Sequence, residues 1–361
     1  MEAKISKHEA FLRREPAERP LLGFWRGGYY PAEQFPSGTA AWPEGQILQP
    51  DDVRFAHFAA DYEALYRLHG EAEDDYFFFA SAYWGIPWME AILGCTVVAS
   101  RTHCRAENPD VPWGDFPPAP VEDNPWFPAL LRFTVDLLRF ADGRFPVCPP
   151  LLRGPGDCAA ALLGGMRFVL GCLDEPERMS LLLGRCADAR SHVVRGLQSV
   201  LADWHGTYIA GGYPSRVWSR IPIAYHQEDS ASLLNPELFR RLLLPLHRRQ
   251  CLDLPRNFFH LHSSCLYPAE IFLEHRCFDA LQINVDHPGS RTPSLPELIP
   301  ALKNIQEAGM PLLLWGELTA EHCRLLRQEL SPVGLSLQPI ATAPRQMAEI
   351  RQALYGSPDP D

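Results

Sequence analysis

Long hydrophobic runs are missing from this sequence. Apolar stretches such as residues 242–246 fall far short of the roughly 20 residues that a membrane-spanning helix needs, so no membrane partner is expected. Positive charge is scarce as well. Lys and Arg total 33 against 44 Asp and Glu, a formal net charge of −11. Nucleic-acid binders carry a basic stripe, and this balance argues against one. The pairs Arg240-Arg241 and Arg248-Arg249 fall on helical patterns and read as solvated faces. None of the ten cysteines stands in a C-x-x-C pair, which excludes a zinc ribbon or a thioredoxin-type motif. Residues 1–10 carry Glu2, Lys4, Lys7, His8 and Glu9 and no apolar core, so they do not read as a secretory signal. The expected location is the cytoplasm, with thiols kept reduced. A nucleophile elbow, a phosphate-binding P-loop, an H-E-x-x-H helix and the kinase signature set are absent too.

What is present is a sizeable core and a repeating pattern. Hydrophobic residues make up 46% of the 361 and charged residues 21%, ordinary for a globular protein. The 35 prolines imply many short, rigid connections. The N-terminal third is rich in aromatics, Pro and Gly. From about residue 145 a short apolar run, a polar elbow and an amphipathic helix recur, the pattern of parallel βα units. Eight runs read as strands: 21–25, 76–80, 145–152, 221–225, 257–261, 280–285, 311–315 and 335–340. Asn235 before Pro236 reads as a helix N-cap, as does Thr319. Residues 109–128 are Pro-rich and read as an excursion over the surface. Eight units in one domain spanning 1–361 predict an α/β fold of the (β/α)8 barrel type, with an aromatic- and Pro-rich N-terminal extension. An open doubly wound sheet is the alternative, but it expects a G-x-G-x-x-G turn after its first strand, and Arg26-Gly27-Gly28 is not one.

Barrel chemistry sits at strand C-terminal ends and the loops after them. Those positions hold Arg26, Arg153, Asp157, Glu228, Asp229, His260, His262, Asp286 and Glu317. Arg153, in Arg-Gly-Pro-Gly-Asp, either grips a carboxylate or phosphate with its planar fork or pairs with Asp157 and only fixes the loop. In Gln227-Glu228-Asp229, one carboxylate is a general base or metal ligand, or the segment is a charged loop that caps the next turn. His260 and His262 are two apart on an extended segment and so face the same way, which suits a metal pair or an acid–base site. Asp286 ends the next strand, where a carboxylate can orient the His262 ring. The aromatics Tyr76 to Phe79, Tyr83, Trp84 and Trp88 line either a pocket for a flat ligand or the core.

Several segments resemble the uroporphyrinogen decarboxylase superfamily. Glu18-Arg19-Pro20 with the following Phe24-Trp25-Arg26-Gly27-Gly28-Tyr29-Tyr30-Pro31 is similar to its N-terminal signature. Tyr225-x-Gln-Glu-Asp229 with Leu234-Asn-Pro-Glu-Leu-Phe-Arg-Arg241 is similar to its central segment. His260-Leu-His262 and the stretch from Leu281 to Asp286 are similar to its third quarter. The resemblance implies a (β/α)8 barrel and two reaction classes. One branch decarboxylates a tetrapyrrole without a cofactor, using Arg, Asp, Tyr and His. The other moves methyl groups between a corrinoid protein and a thiol, using zinc held by His and Cys. Here the decarboxylase aspartate falls near Phe79-Ala80-Ser81-Ala82, where no carboxylate stands, and its C-terminal histidine has no counterpart in 338–344. The methyltransferase His-x-Cys reads His262-Ser263-Ser264, with Cys265 one residue late. What the resemblance then implies is a superfamily enzyme of the corrinoid-linked methyltransferase type. His262, Asp229 and Asp286 act as catalytic groups. His262 with Glu228 offers a metal position, possible for zinc. Arg153, Arg26, Gln227 and Trp84 contact the substrate. A tetrapyrrole decarboxylase and a non-catalytic tetrapyrrole- or corrinoid-binding protein stand as alternatives. The partners are a small molecule or tetrapyrrole and a corrinoid protein, with a homodimer left open.

Overall fold

Six of the eight apolar runs form one parallel sheet in the computed structural model, which describes residues 1–70, 72, 74–109, 120–201, 203–209, 216–286 and 292–356. The strands in chain order begin with β1 (Leu21–Leu22). A small antiparallel sheet follows, made of β2 (Ile47–Leu48), β3 (Thr96–Ala99) and β4 (Cys104–Glu107). A two-stranded one holds β5 (Tyr208–Ile209) and β6 (Trp218–Ser219). The main sheet resumes with β7 (Ile223–Gln227), β8 (Arg256–His262), β9 (Ala280–Val285), β10 (Leu312–Gly316) and β11 (Leu335–Pro339). Its order is β1-β11-β10-β9-β8-β7, every neighbour parallel. Helices lie between successive strands of the second half, as crossover connections in a parallel sheet require. No single described helix is long and apolar enough to cross a membrane.

The runs 76–80 and 145–152 do not form ladder strands. They meet each other at one parallel bridge, Ala80 with Val147, through Ala80 N to Pro146 O (3.0 Å) and Cys148 N to Ala80 O (2.9 Å). Pro146, Pro149 and Pro150 have no N–H to give a ladder. On the other flank, β1 is met largely by side chains. Leu22 N and Phe24 N donate to the carboxylates of Asp75 (3.1 Å) and Asp74 (2.8 Å), and among the described residues of this flank the backbone pair is Asp75 N to Leu22 O (2.9 Å). Between run 145–152 and β7 stands the buried Arg190, whose guanidinium donates to Leu152 O (3.5 Å) and to Tyr225 O.

Period-two alternation divides the apolar residues into two cores. One lies on a single face of the sheet and draws a residue from each of the eight runs: Trp25, Phe79, Cys148, Tyr225, Phe258, Ala280, Leu313 and Ile340. The other takes Leu22, Phe259, Leu261, Ile283, Leu314 and Leu337 and packs them against the helices through Phe272, Leu302, Leu326 and Ile350. The helix Glu2–Arg13 seals the first core at the strands' N-terminal ends. Its Ile5 and Phe11 enter that core, and Glu9 accepts from Arg220 N (2.7 Å) and from Arg256 (3.0 Å), the first residue of β8. Asn235 and Thr319 act as N-caps, accepting from Leu238 N (2.8 Å) and His322 N (3.2 Å). Of the Pro-rich stretch 109–128, residues 110–119 lie outside the described residues, and the helix Trp126–Ala141 begins near its end.

Candidate functional site

Register brings the site together. Gln227 of β7 stands beside His260 of β8, and His262 stands beside Asn284 of β9. Continuing β7 by two residues sets Asp229 level with His262, and continuing β9 by one sets Asp286 just above it. All three therefore converge at the C-terminal end of the sheet. His262 Nδ1 is 2.5 Å from Asp286 Oδ1, and its Nε2 is 3.6 Å from Asp229 Oδ1. Ionised carboxylates only accept, so Nδ1 donates its proton to Asp286, and Nε2 faces Asp229. Asp286 is steadied by Asn284 Nδ2 (2.8 Å), Ser263 Oγ (3.2 Å) and Ser264 N (3.2 Å). His260 is buried with its Nδ1 against Gln282 Oε1. The two rings lie 4.9 Å apart. One donor atom each from Asp229, His260 and His262 falls within 4.8 Å of the others.

Electrostatics separates the two histidines. Burial lowers the His262 pKa, but the Asp286 hydrogen bond and the charges of Asp229 and Asp286 outweigh it, and the net shift is upward. Burial, joined by the nearby His262, holds His260 down at about 4. Burial raises Asp229 and Asp286, and the pull of His262 on both, with Arg153 on Asp229, takes each below the usual carboxylate range.

Arg153 lies beside this cluster. Its Nε is 3.1 Å from Glu90 Oε1 and its Nη1 is 3.6 Å from Asp229 Oδ2. Among the described residues its ion pairs are with these two and not with Asp157. Glu90 is buried at 4% exposure while Arg153 stays open to solvent at 39% of its side chain. Arg153 also lines a cavity of about 180 Å³ with Tyr29, Tyr30, Trp84, Glu90 and His103. Tyr29 hydrogen-bonds Asn284 and so links that cavity to the end of β9. A second recess of about 130 Å³ opens beside Asp229, His262 and Cys265.

The remaining expected residues divide. Trp84 lines the cavity, fixed by Nε1 to Gln34 Oε1 (3.1 Å). Gln227 acts on Asp229, donating to its Oδ2 (2.5 Å) and accepting from Tyr225 OH (3.1 Å). Two further expected residues have their hydrogen-bond partners away from this cluster. Arg26 is buried, and its Nη1 donates to Leu68 O (2.5 Å) on the helix side, so it lines neither cavity. Glu228 stands outside the converging trio. Its Oε1 accepts from Asp157 N (2.7 Å) and Ser230 Oγ (2.6 Å), its Oε2 accepts from Gly156 N (3.0 Å) and lies 3.2 Å from His247 Nε2, and the residue lines the same recess as His262. It therefore caps the helix Pro155–Leu163, whose own N-cap is a glycine. Of the aromatic cluster, Tyr76, Phe79, Tyr83 and Trp88 are core residues. Sequence reasoning missed Glu90, Tyr29, Gln282 and Asn284. Gln282 and Asn284 had a signal, a polar residue at every second position of an otherwise apolar strand. Glu90 sits in a short helix, Trp88–Ile92, that carries no such mark. No family model matches this chain, and no curated protein matches it.

Proposed function

We propose that this chain is a (β/α)8 barrel enzyme with a metal-dependent site at Asp229, His260 and His262, of the kind that transfers a methyl group between a corrinoid carried on a partner protein and a small thiol. Three facts support a closed ring of eight. The inner core takes a residue from every run, the runs 76–80 and 145–152 bridge each other, and Arg190 spans the last gap. The reaction class comes from the resemblance of the Tyr225-to-Arg241 and His260-to-Asp286 segments to that superfamily.

One observation carries the site reading. The donor atoms of Asp229, His260 and His262 converge while the outer nitrogen of each ring is occupied, by Gln282 and by Asp286. Outer partners of this kind are what orient metal-ligating histidines. The 3.6 Å between His262 Nε2 and Asp229 Oδ1 is too long for a hydrogen bond. It is close to the about 3.3 Å that separates two ligands on a tetrahedral ion with bonds of about 2.0 Å. The donor set is two imidazoles and a carboxylate. It fits zinc or another borderline divalent ion and lacks the sulfur that the resemblance implies. Burial, reinforced by the charge of Asp229, pushes the Cys265 thiol up to about 11 and keeps it protonated. Asp229, His260 and His262 would hold a divalent ion, which when bound would supply the Lewis acidity that lowers the pKa of a thiol or water. Asp286 and Gln282 then keep both rings aimed, Gln227 holds the Asp229 carboxylate, and Arg153 stands ready to hold an anionic group of the substrate.

The cavity size favours a small substrate. About 180 Å³ is near the roughly 150 Å³ that encloses a single benzene ring, far less than a tetrapyrrole fills. With Arg26 turned away, decarboxylation of a tetrapyrrole is the weaker reading. The test is metal analysis of the purified protein reconstituted with zinc or cobalt, wild type beside His262→Asn and Asp286→Asn. We expect about one ion per chain, loss of binding in His262→Asn, and an affinity about 10–100-fold lower in Asp286→Asn. A wild-type protein that retains no ion leaves His262 and Asp286 as an acid–base pair and removes the metal reading.

A further inference from the structure

The ten free thiols are unevenly placed. Seven are buried, and Cys265 belongs to the recess beside His262. The remaining two, Cys251 and Cys277, are half-buried and hydrogen-bond each other. Cys251 follows the helix Leu244–Gln250, and Cys277 follows the helix Tyr267–His275 after Arg276 in the left-handed conformation (φ 50°). They sit on the loops that lead into β8 and β9, at the end of the sheet opposite His262. Those loops are tied to each other by backbone and side-chain hydrogen bonds. Asn257 Nδ2 donates to Cys251 O (2.9 Å), Asp279 N donates to Asn257 O (2.8 Å), and Asn257 N donates to Asp279 Oδ2 (2.6 Å). The two thiols are therefore neighbours because their backbones are pinned, and a thiol–thiol contact that still reaches solvent is the arrangement that oxidises selectively.

We propose that Cys251 and Cys277 form an oxidisable dithiol, a modification site at which a hydroperoxide closes a disulfide between the entry loops of β8 and β9. The partners are unequal. The hydrogen bond from Cys251, with the charge of Arg248, holds the Cys277 thiol below its ordinary range, while the same contact pushes Cys251 up. Cys277 thiolate attacks the peroxide oxygen. The O–O bond breaks, the distal oxygen leaves as alkoxide or hydroxide and takes a proton, and Cys277 becomes a sulfenic acid. The Cys251 thiol then displaces that hydroxyl as water and forms the S–S bond. Two thiols are oxidised, one hydroperoxide is reduced to an alcohol or water, and one further water is released. The closed loop, residues 251–277, contains all of β8 and both His260 and His262.

The experiment uses the full chain with stoichiometric hydrogen peroxide, followed by thiol titration, intact mass and a non-reducing peptide map. We expect the loss of two thiols and two hydrogens of mass, one crosslinked peptide joining Cys251 to Cys277, and full reversal by dithiothreitol. Cys251→Ser is expected to stop at a sulfenic acid on Cys277 that dimedone traps. Cys277→Ser is expected to react about ten-fold more slowly or less. Oxygen addition without a crosslink, a crosslink between other cysteines, or an unchanged rate in Cys277→Ser would overturn the proposal. The map of the wild-type protein decides it even where a serine variant does not fold, and none of these readouts involves the metal site.

Discussion

Arg153 has two anions to satisfy, and a lysine satisfies only one. Its Nε faces the buried Glu90 and its Nη1 faces Asp229, a forked geometry that an ammonium on a flexible stem does not reproduce. Arg153→Met leaves Glu90 buried without its cation, and burial already pushes that carboxyl up. With Arg153 well exposed and solvent screening the pair, the stability cost is about 1–2 kcal/mol. Replacing Glu90 by Gln in the same chain removes the stranded charge. The double variant Arg153→Met/Glu90→Gln is thus expected to melt at a higher temperature than Arg153→Met alone, while both lack activity. Additive losses in that cycle would show that Glu90 is not the partner on which Arg153 depends. Whether Arg153 paired with Asp157 could not be read from spacing, because the answer depends on Glu90, 63 positions away in a segment without chemical signature.

The helix Pro155–Leu163 is capped by a residue from another strand, and this changes how its glycines are understood. A Cβ on Gly154 would overlap Gln227 O, and one on Gly156 would lie 2.6 Å from Glu228 Oε1. Arg-Gly-Pro-Gly-Asp reads in sequence as a loop that presents an arginine. Its glycines exist so that a carboxylate can approach the helix end. Burial raises Glu228 to about 7, against the hydrogen bonds of Ser230, Gly156 and Asp157, and raises its neighbour Asp157 as well. A carboxyl with a raised folded pKa stabilises fully below its unfolded value, here 4.5, and loses that contribution as pH rises through the folded value. Glu228→Gln does not titrate. The melting-temperature gap between wild type and Glu228→Gln is expected to narrow from pH 4.5 to pH 7 and then level off. A gap that is constant with pH would mean that Glu228 is ionised throughout. The same scale shows what periodicity can and cannot deliver. Runs 257–261 and 280–285 appear as β8 and β9 within a residue at each end, since apolar alternation and caps are local. The runs 76–80 and 145–152 are equally apolar, but their ladders are replaced by Asp74, Asp75 and three prolines, so pattern located them and not their bonding.

At the scale of the whole molecule, architecture was more legible than chemistry. Eight apolar runs and their elbows are a property of the chain's pattern, and the six-stranded parallel sheet follows from them. The convergence of Asp229, His260, His262 and Asp286 was half visible, because strand ends are nameable from sequence and register is not. Arg26 and Glu228 sit at strand ends too and point elsewhere. Position along a strand says which end a residue occupies, and the facing of one side chain is set by contacts from distant segments.

The replacement of a ladder by a single side chain between residues 145–152 and β7 has a consequence in time. Amide protons exchange with solvent only when their hydrogen bonds open, and the free energy of that opening varies across a structure. The amides of β8, β9 and β10 are bonded in ladders with neighbours on both sides, so their exchange reports global unfolding. The flank that rests on Arg190 has prolines where amides would be and two side-chain bonds in place of a ladder. In native-state hydrogen exchange, Val147, Cys148 and the amides of β7 are expected to exchange ahead of those of β9. Arg190→Lys should widen that difference without accelerating β9. Uniform protection around all eight runs would mean that the flank is as strong as the sheet, and that Arg190 is one residue of a core and no hinge of its opening.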